Sequence, residues 1–235
     1  MVTQDNAANG TLKTTMASGI YAHHLPVTRN FSIRTGIQAS YFQKTLDWNK
    51  LSFSDQIDPK FGFVRSTAEQ GQSGSISNID VSAGMLGYTK QFYVGVAVHH
   101  LTTPNESLIE GDSPLPMKFT GHIGAVIPLR KDKFSDVPTL SPNLMYQRQG
   151  EFEQLNMGVY LTNGPLVGGL WYRDKDSFIA LVGLQTDVFK VGYSYDFTIS
   201  ALTNASGGSH EIPTQFLIPC KPPRKRFRPV ECPTF

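Results

Sequence analysis

The sequence predicts an all-β chain, a transmembrane antiparallel β-barrel. Three observations carry this. Apolar and polar residues alternate with period two along nearly the whole chain. Many alternating stretches run ten residues or more, where a tilted membrane strand needs about 9–11. Charged residues make up 17% and hydrophobic ones only 40%, both below the ~25% and ~45–50% usual for soluble domains. The 15 Phe, 9 Tyr and 2 Trp speak against disorder. No apolar stretch reaches the ~18 residues of a membrane helix.

About eleven strands follow in order, near 11–25, 31–47, 79–89, 91–102, 117–129, 138–149, 151–162, 165–173, 177–186, 188–200 and 209–218. The second sets Phe31, Ile33, Ile37, Ala39 and Tyr41 against Ser32, Arg34, Gly36, Gln38 and Ser40. The fifth sets Phe119, Ile123, Ala125 and Ile127 against Lys118, Thr120, His122 and Gly124. The seventh sets Leu155, Met157, Val159 and Leu161 against Gln154, Asn156, Gly158 and Thr162. The tenth is the cleanest: Phe189, Val191, Tyr193, Tyr195, Phe197 and Ile199 face away from Lys190, Gly192, Ser194, Asp196, Thr198 and Ser200. The apolar rows suit lipid. The polar rows suit a lumen, with Arg34, Gln38, Lys118, His122, Gln154, Asn156, Gln185, Lys190 and Asp196 as its candidate lining. Mixed charge in that set disfavours a strong ion filter.

The connections add orientation. Long gaps at about 49–78, 103–116 and 200–208 fall on one side by parity; most others are short. Outer-membrane barrels carry long loops outside and short turns in the periplasm. Read this way, the last strand runs inward and the tail is periplasmic. The first strand then starts outside, so by parity an odd number of strands is expected to be missing from the N-terminus. Domain organisation is expected to be a partial barrel over 1–218 and a basic tail over 219–235. Met1-Val-Thr-Gln-Asp opens no signal peptide, which on this reading says nothing about location.

Ten aromatics, Tyr21, Tyr41, Phe42, Trp48, Tyr88, Phe92, Tyr93, Trp171, Tyr172 and Tyr193, sit mostly near strand ends and are expected to form interfacial girdles. Core aromatics of a soluble sandwich are the competing reading. The tail holds Lys221, Arg224, Lys225, Arg226 and Arg228 against Glu231. Its cysteines, Cys220 and Cys232, are either a disulfide of an oxidising compartment or two thiols. The tail is either a docking knob for an acidic periplasmic partner or a solvated end. Nucleic acid is not an expected partner.

Chemistry-bearing clusters are weak. His23-His24 and His99-His100 each offer one inward ligand, because neighbours on a strand point to opposite faces. No metal is expected. Ser209-His210-Glu211 has the residue types of a hydrolase but not their geometry, and no catalytic residue or cofactor is expected. Asp47, Asp55 and Asp58 match no calcium-loop spacing, and a partner-docking loop is the better reading of 49–78.

The C-terminal half brings a resemblance. Gly192-Tyr-Ser-Tyr-Asp-Phe-Thr-Ile-Ser200, followed by Gly207-Gly-Ser-His-Glu-Ile212, resembles the signature of the PorP/SprF family of the Bacteroidetes lineage. Gly10-Thr-Leu-Lys-Thr14, Leu46-Asp-Trp48, Asp55-Gln-Ile-Asp-Pro59, Ala97-Val-His-His-Leu101, Pro104-Asn-Glu106, Ser113-Pro-Leu-Pro116 and Gly164-Pro-Leu-Val-Gly-Gly-Leu-Trp-Tyr-Arg173 look similar to it too. The resemblance implies an outer-membrane barrel of the type IX secretion and gliding machinery. It implies contact with outer-membrane lipid, periplasmic secretion-system components and secreted cell-surface proteins or adhesins. Family members begin with a signal peptide and further strands. The chain therefore reads as N-terminally incomplete, about eleven strands of a likely fourteen. A channel or transporter for small solutes is the alternative function, and a soluble β-sandwich enzyme a third reading.

Overall fold

Alternation in the sequence becomes alternation of burial. The computed structural model describes residues 1–67, 74–108, 111–130, 137–200 and 208–217. The strands are β1 (Val2–Ala7), β2 (Leu12–Pro26), β3 (Ser32–Leu46), β4 (Ile57–Asp58), β5 (Gly62–Phe63), β6 (Ser75–Tyr88), β7 (Phe92–His99), β8 (Lys118–Ala125) and β9 (Ile127–Pro128). They continue as β10 (Thr139–Gln149), β11 (Phe152–Asn163), β12 (Leu166–Arg173), β13 (Ser177–Gln185), β14 (Phe189–Thr198), β15 (Ser209–Glu211) and β16 (Thr214–Phe216). One large sheet runs in the order β1-β2-β3-β6-β7-β8-β10-β11-β12-β13-β14-β15, with β9 beside β10 and β16 beside β14. Hairpin β4–β5 is separate.

All eleven expected strands are present, and β1 adds a twelfth segment. Its residues, Val-Thr-Gln-Asp-Asn-Ala, are mostly polar and exposed, so no alternation marks it. Pairing does: Val2↔Ala17 through Ala7↔Leu12 lay it along β2. β1 thus precedes the first strand that alternation marks.

Two expected strands are interrupted. The fifth breaks at Val126, whose N–H turns to the Gln91 carbonyl at 2.7 Å, leaving β8 and β9. The last breaks at Ile212-Pro213. Proline has no N–H to give a ladder, and there the Pro213 carbonyl accepts from Gly192 N–H at 3.0 Å. The long 47–74 connection is not plain loop, since it carries β4–β5 and two short 3-10 turns.

Tight turns fix register elsewhere. Gln149↔Phe152 and Asn163↔Leu166 each leave a two-residue loop. Gly150 (φ 59) and Gly164 (φ 56) open those loops in the left-handed region that glycine enters without strain.

By internal contacts the chain divides into two units. One comprises Met1–Ala22, Gly36–Ala83 and Val98–Met117 and contains the long connections after β3 and β7. The other comprises His23–Thr35, Gly84–Ala97 and Lys118–Phe235.

What is buried is mostly polar. Among the described residues the buried apolar side chains are Phe42, Tyr88 and Tyr93. Beside them Ser32, Ser40, Asp80, Ser82, Ser141, Asn143, Asn156, Ser177 and Ser194 are buried. The aliphatic row points the other way: Leu170 is 64% exposed, Val182 63%, Val94 and Val96 54% each. Burying one such side chain from water is worth about 1.5–3 kcal/mol. A water-soluble fold does not forgo that at strand after strand. With lipid as solvent, nothing is forgone.

Candidate functional site: the long-loop end and the polar face

In the first unit the long connections are pinned by side chains. After β3, Asp47 N–H donates to Thr11 O at 2.8 Å, and its carboxylate accepts from Asn49 N–H at 3.2 Å. Lys50 Nζ reaches Asn9 O at 3.3 Å. Trp48 stacks on Phe53. Gln56 Oε1 accepts from Phe53 N–H at 2.9 Å. Asp58 then organises the β4–β5 turn. It accepts from Lys60 N–H at 2.8 Å, Phe61 N–H at 3.2 Å and Arg65 Nη2 at 2.7 Å. The Lys60 N–H first, with the other two donors, holds its carboxyl below the usual value against an opposing effect of desolvation. This ordered turn displays Ile57, Phe61, Phe63 and Val64 to the outside, Phe61 at 69% exposure.

The connection after β7 is tied as firmly. Buried Asp80 takes His100 Nδ1 at 2.9 Å and Thr102 Oγ1 at 3.1 Å. Asn105 Oδ1 accepts from Ser107 and Ser113 N–H at 3.0 and 2.9 Å, while Asn78 Nδ2 donates to its carbonyl at 2.6 Å. Lys44 and Glu106 form a half-buried ion pair at 2.5 Å.

In the second unit the polar face is built from aromatics laid over glycines. Trp171 on β12 is the register partner of Gly158 on β11, and Tyr160 is the partner of Gly169. Each ring occupies the space a Cβ on the opposite glycine would need. The two rings meet edge to face at 5.8 Å. The pattern repeats between β7 and β8, where His122 covers Gly95 and Tyr93 covers Gly124. Tyr93 Oη also bonds Asn143 Oδ1, and Asn143 Nδ2 donates to Ser141 O at 2.9 Å.

The candidate lining residues fall into small separate groups. Gln38 Nε2 donates to Ser40 Oγ at 2.9 Å. His122 belongs to the Tyr93 group. Asn156 is buried opposite Met145 and Arg173. Gln154 pairs across from Gln147, and Lys118 from Gln149. Asp196 takes Arg173 Nη1 at 3.3 Å. Lys190 and Gln185 are register partners beside a cavity of about 220 Å³ that Tyr160, Leu181 and Pro213 also line. Arg34 is exposed, with its guanidinium 5.6 Å from the Tyr88 ring centre. Cys220, Cys232, Lys221, Arg224, Lys225, Arg226 and Arg228 lie outside the described residues.

The girdle expectation needs correction. Tyr21, Tyr41, Phe92 and Tyr193 are exposed, but Phe42, Tyr88 and Tyr93 are buried. Trp171 packs over Gly158 instead of facing outward. Position near a strand end does not decide which face a ring takes; parity does. Ser209-His210-Glu211 forms β15, where His210 Nδ1 lies 2.7 Å from Tyr193 Oη and its ring lies against Tyr195. Sequence reasoning missed the aromatic-x-Gly and Gly-x-aromatic pairs at 93–95, 122–124, 158–160 and 169–171, which were there to be seen.

No helix among the described residues is long and apolar enough to cross a membrane, which leaves strands free to do so. No curated protein and no solved structure matches the chain. A family model does, over residues 2–216 of 235. The chain belongs to that family, the type IX secretion system membrane protein PorP/SprF.

Proposed function

We propose that the chain spans the outer membrane as a β-barrel and serves type IX secretion without enzymatic chemistry, through protein–protein contact. The inverted burial carries this reading: serines and asparagines inside, Val94, Val96, Leu170 and Val182 outside. The contact surface for secreted cell-surface proteins is the long-loop end. Its support is a turn ordered by Asp58 that nonetheless leaves Ile57, Phe61, Phe63 and Val64 uncovered. Ordered, uncovered apolar side chains are what a partner buries. The basic tail, Lys221 to Arg228, meets periplasmic secretion components, on the support of its charge alone.

The experiment is affinity purification from detergent-extracted outer membranes, comparing the wild type with Phe61→Asp/Phe63→Asp. Secreted surface proteins are expected with the wild type and not with the variant, at equal barrel abundance. Equal recovery with both sinks the loop surface. Ion conductance in planar bilayers, with no co-purifying secretion protein, favours the small-solute channel instead.

A further inference from the structure

The rings that cover glycines on the polar face of the second unit stop short of one pair. Rings lie over Gly95, Gly124, Gly158 and Gly169. Gly183 on β13 is the register partner of Gly192 on β14. The three atoms nearest a Cβ on Gly183 are all backbone, the Val191 carbonyl oxygen first at 3.1 Å. A Cβ on Gly192 would meet Cγ of Pro213 at 3.3 Å, and none of its nearest atoms is aromatic. The space left is the cavity of about 220 Å³ walled by Tyr160, Val167, Leu181 and Pro213. An apolar cavity of about 150 Å³ holds benzene. This one has room for a ring and a short arm.

The next row across the sheet carries the polarity. Lys190, two residues from Gly192 on the same face, is in register with Gln185 on one side and Gln215 on the other. All three line the cavity. The row offers an ammonium and two amides and no carboxylate. Elsewhere on this face charge is matched, as where Asp196 takes Arg173. Half-buried Lys190 has no ion pair or side-chain hydrogen bond among the described residues. Glu211 faces Ser194, four residues further along β14, and Asp187 lies in the exposed turn. A lysine ammonium and a carboxylate make a charge-assisted hydrogen bond, roughly twice as strong as a neutral one. Two strand residues span roughly 7 Å, so an arm of about two or three carbons would join a ring on the glycines to a carboxylate at Lys190.

We propose that this gap binds a small aromatic carboxylate. The ring lies on Gly183 and Gly192 between Leu181 and Pro213, and the carboxylate accepts from Lys190, with Gln185 and Gln215 as its further donors. The cavity holds one ring and one arm, so the ligand is a free acid and not a peptide segment. The site lies wholly within the second unit and is independent of the loop surface proposed above.

The test uses the full chain in detergent micelles and phenylpropanoate fluorinated at the para position. Fluorine NMR follows the probe, with empty micelles as the blank. Saturable broadening with a Kd of about 1 mM or below is expected for a ligand of this size. The matching amide should bind the native chain at least about tenfold more weakly. Lys190→Gln should weaken the acid by a similar factor, and Lys190→Arg should stay within about threefold of the wild type. Gly183→Tyr supplies the missing ring and should abolish binding with the sheet intact by circular dichroism. Equal binding of acid and amide, undiminished binding by Lys190→Gln, retained binding by folded Gly183→Tyr, or no broadening beyond the blank overturns the site. Where a variant fails to fold, the comparison of acid with amide on the native chain decides alone. Tighter binding of acetyl-Gly-Gly-Phe than of the free acid overturns the free-acid assignment.

Discussion

Trp171 covers Gly158, its register partner on the neighbouring strand, so the indole fills the place of a side chain that glycine does not have. Gly158→Val therefore overpacks the pair and should cost about 1–3 kcal/mol. Urea unfolding in vesicles measures it. Adding Trp171→Ala should recover part of the loss, because residues in contact do not act independently. Additive losses would show that the ring and the glycine are uncoupled.

Asp80 is buried and serves two donors, His100 and Thr102. Asp80→Ala leaves both without their acceptor, a loss of about 1–3 kcal/mol. The visible effect should be local. Protease cleavage within residues 100–117 should rise in Asp80→Ala, and less in Asp80→Asn, which keeps one acceptor oxygen. Unchanged cleavage in both would mean that Asn105 and Lys44 hold the connection alone.

Lys44 and Glu106 tie the same connection to β3. A half-exposed pair of this kind is worth about 1 kcal/mol at most. Lys44→Glu should raise cleavage of the 100–117 segment, and Lys44→Glu with Glu106→Lys should restore it. Failure of the exchanged pair to restore protection would place the contribution in the lysine stem, not the charge.

Asp58 predicts a pH dependence of the β4–β5 turn. Its folded carboxyl titrates below the unfolded one, chiefly through the Lys60 N–H. The turn's added stability is thus complete above the ordinary carboxylate value and is lost as pH falls through the lower folded value. Protection of the Lys60 and Phe61 amides from exchange, corrected for the intrinsic rate, should decline over that acid range. Asp58→Asn should show weak protection at every pH. A flat wild-type profile would mean that backbone pairing of Ile57 with Phe63 suffices.

Period-two patterning made the sheet legible: all eleven strands it marks are present, because an alternating row is forced by which solvent each face meets. Polar β1 was invisible to that signal, since its place comes from hydrogen bonds with β2. Pro213 broke the last strand where alternation alone ran on. The ring positions were harder. Tyr93 and Phe92 are neighbours in sequence, yet one is buried and the other exposed, so closeness to a strand end said nothing that parity had not already decided. The site groups were less legible still. Asp80 with His100, and Lys44 with Glu106, are joined only by how two strands are set side by side.

The polar interior has a consequence for the order of events in making this protein. A chain whose buried side chains, among the described residues, are serines, asparagines, Asp80 and three aromatic rings has little to gain by collapsing in water. Its apolar rows can be withdrawn from water only by lipid or by another protein. On the membrane-spanning reading, such a chain is expected to hold no stable sheet in water, and its strands are expected to form as it enters lipid. Transfer from urea into lipid-free buffer should accordingly yield no protected β-sheet, and transfer into vesicles should.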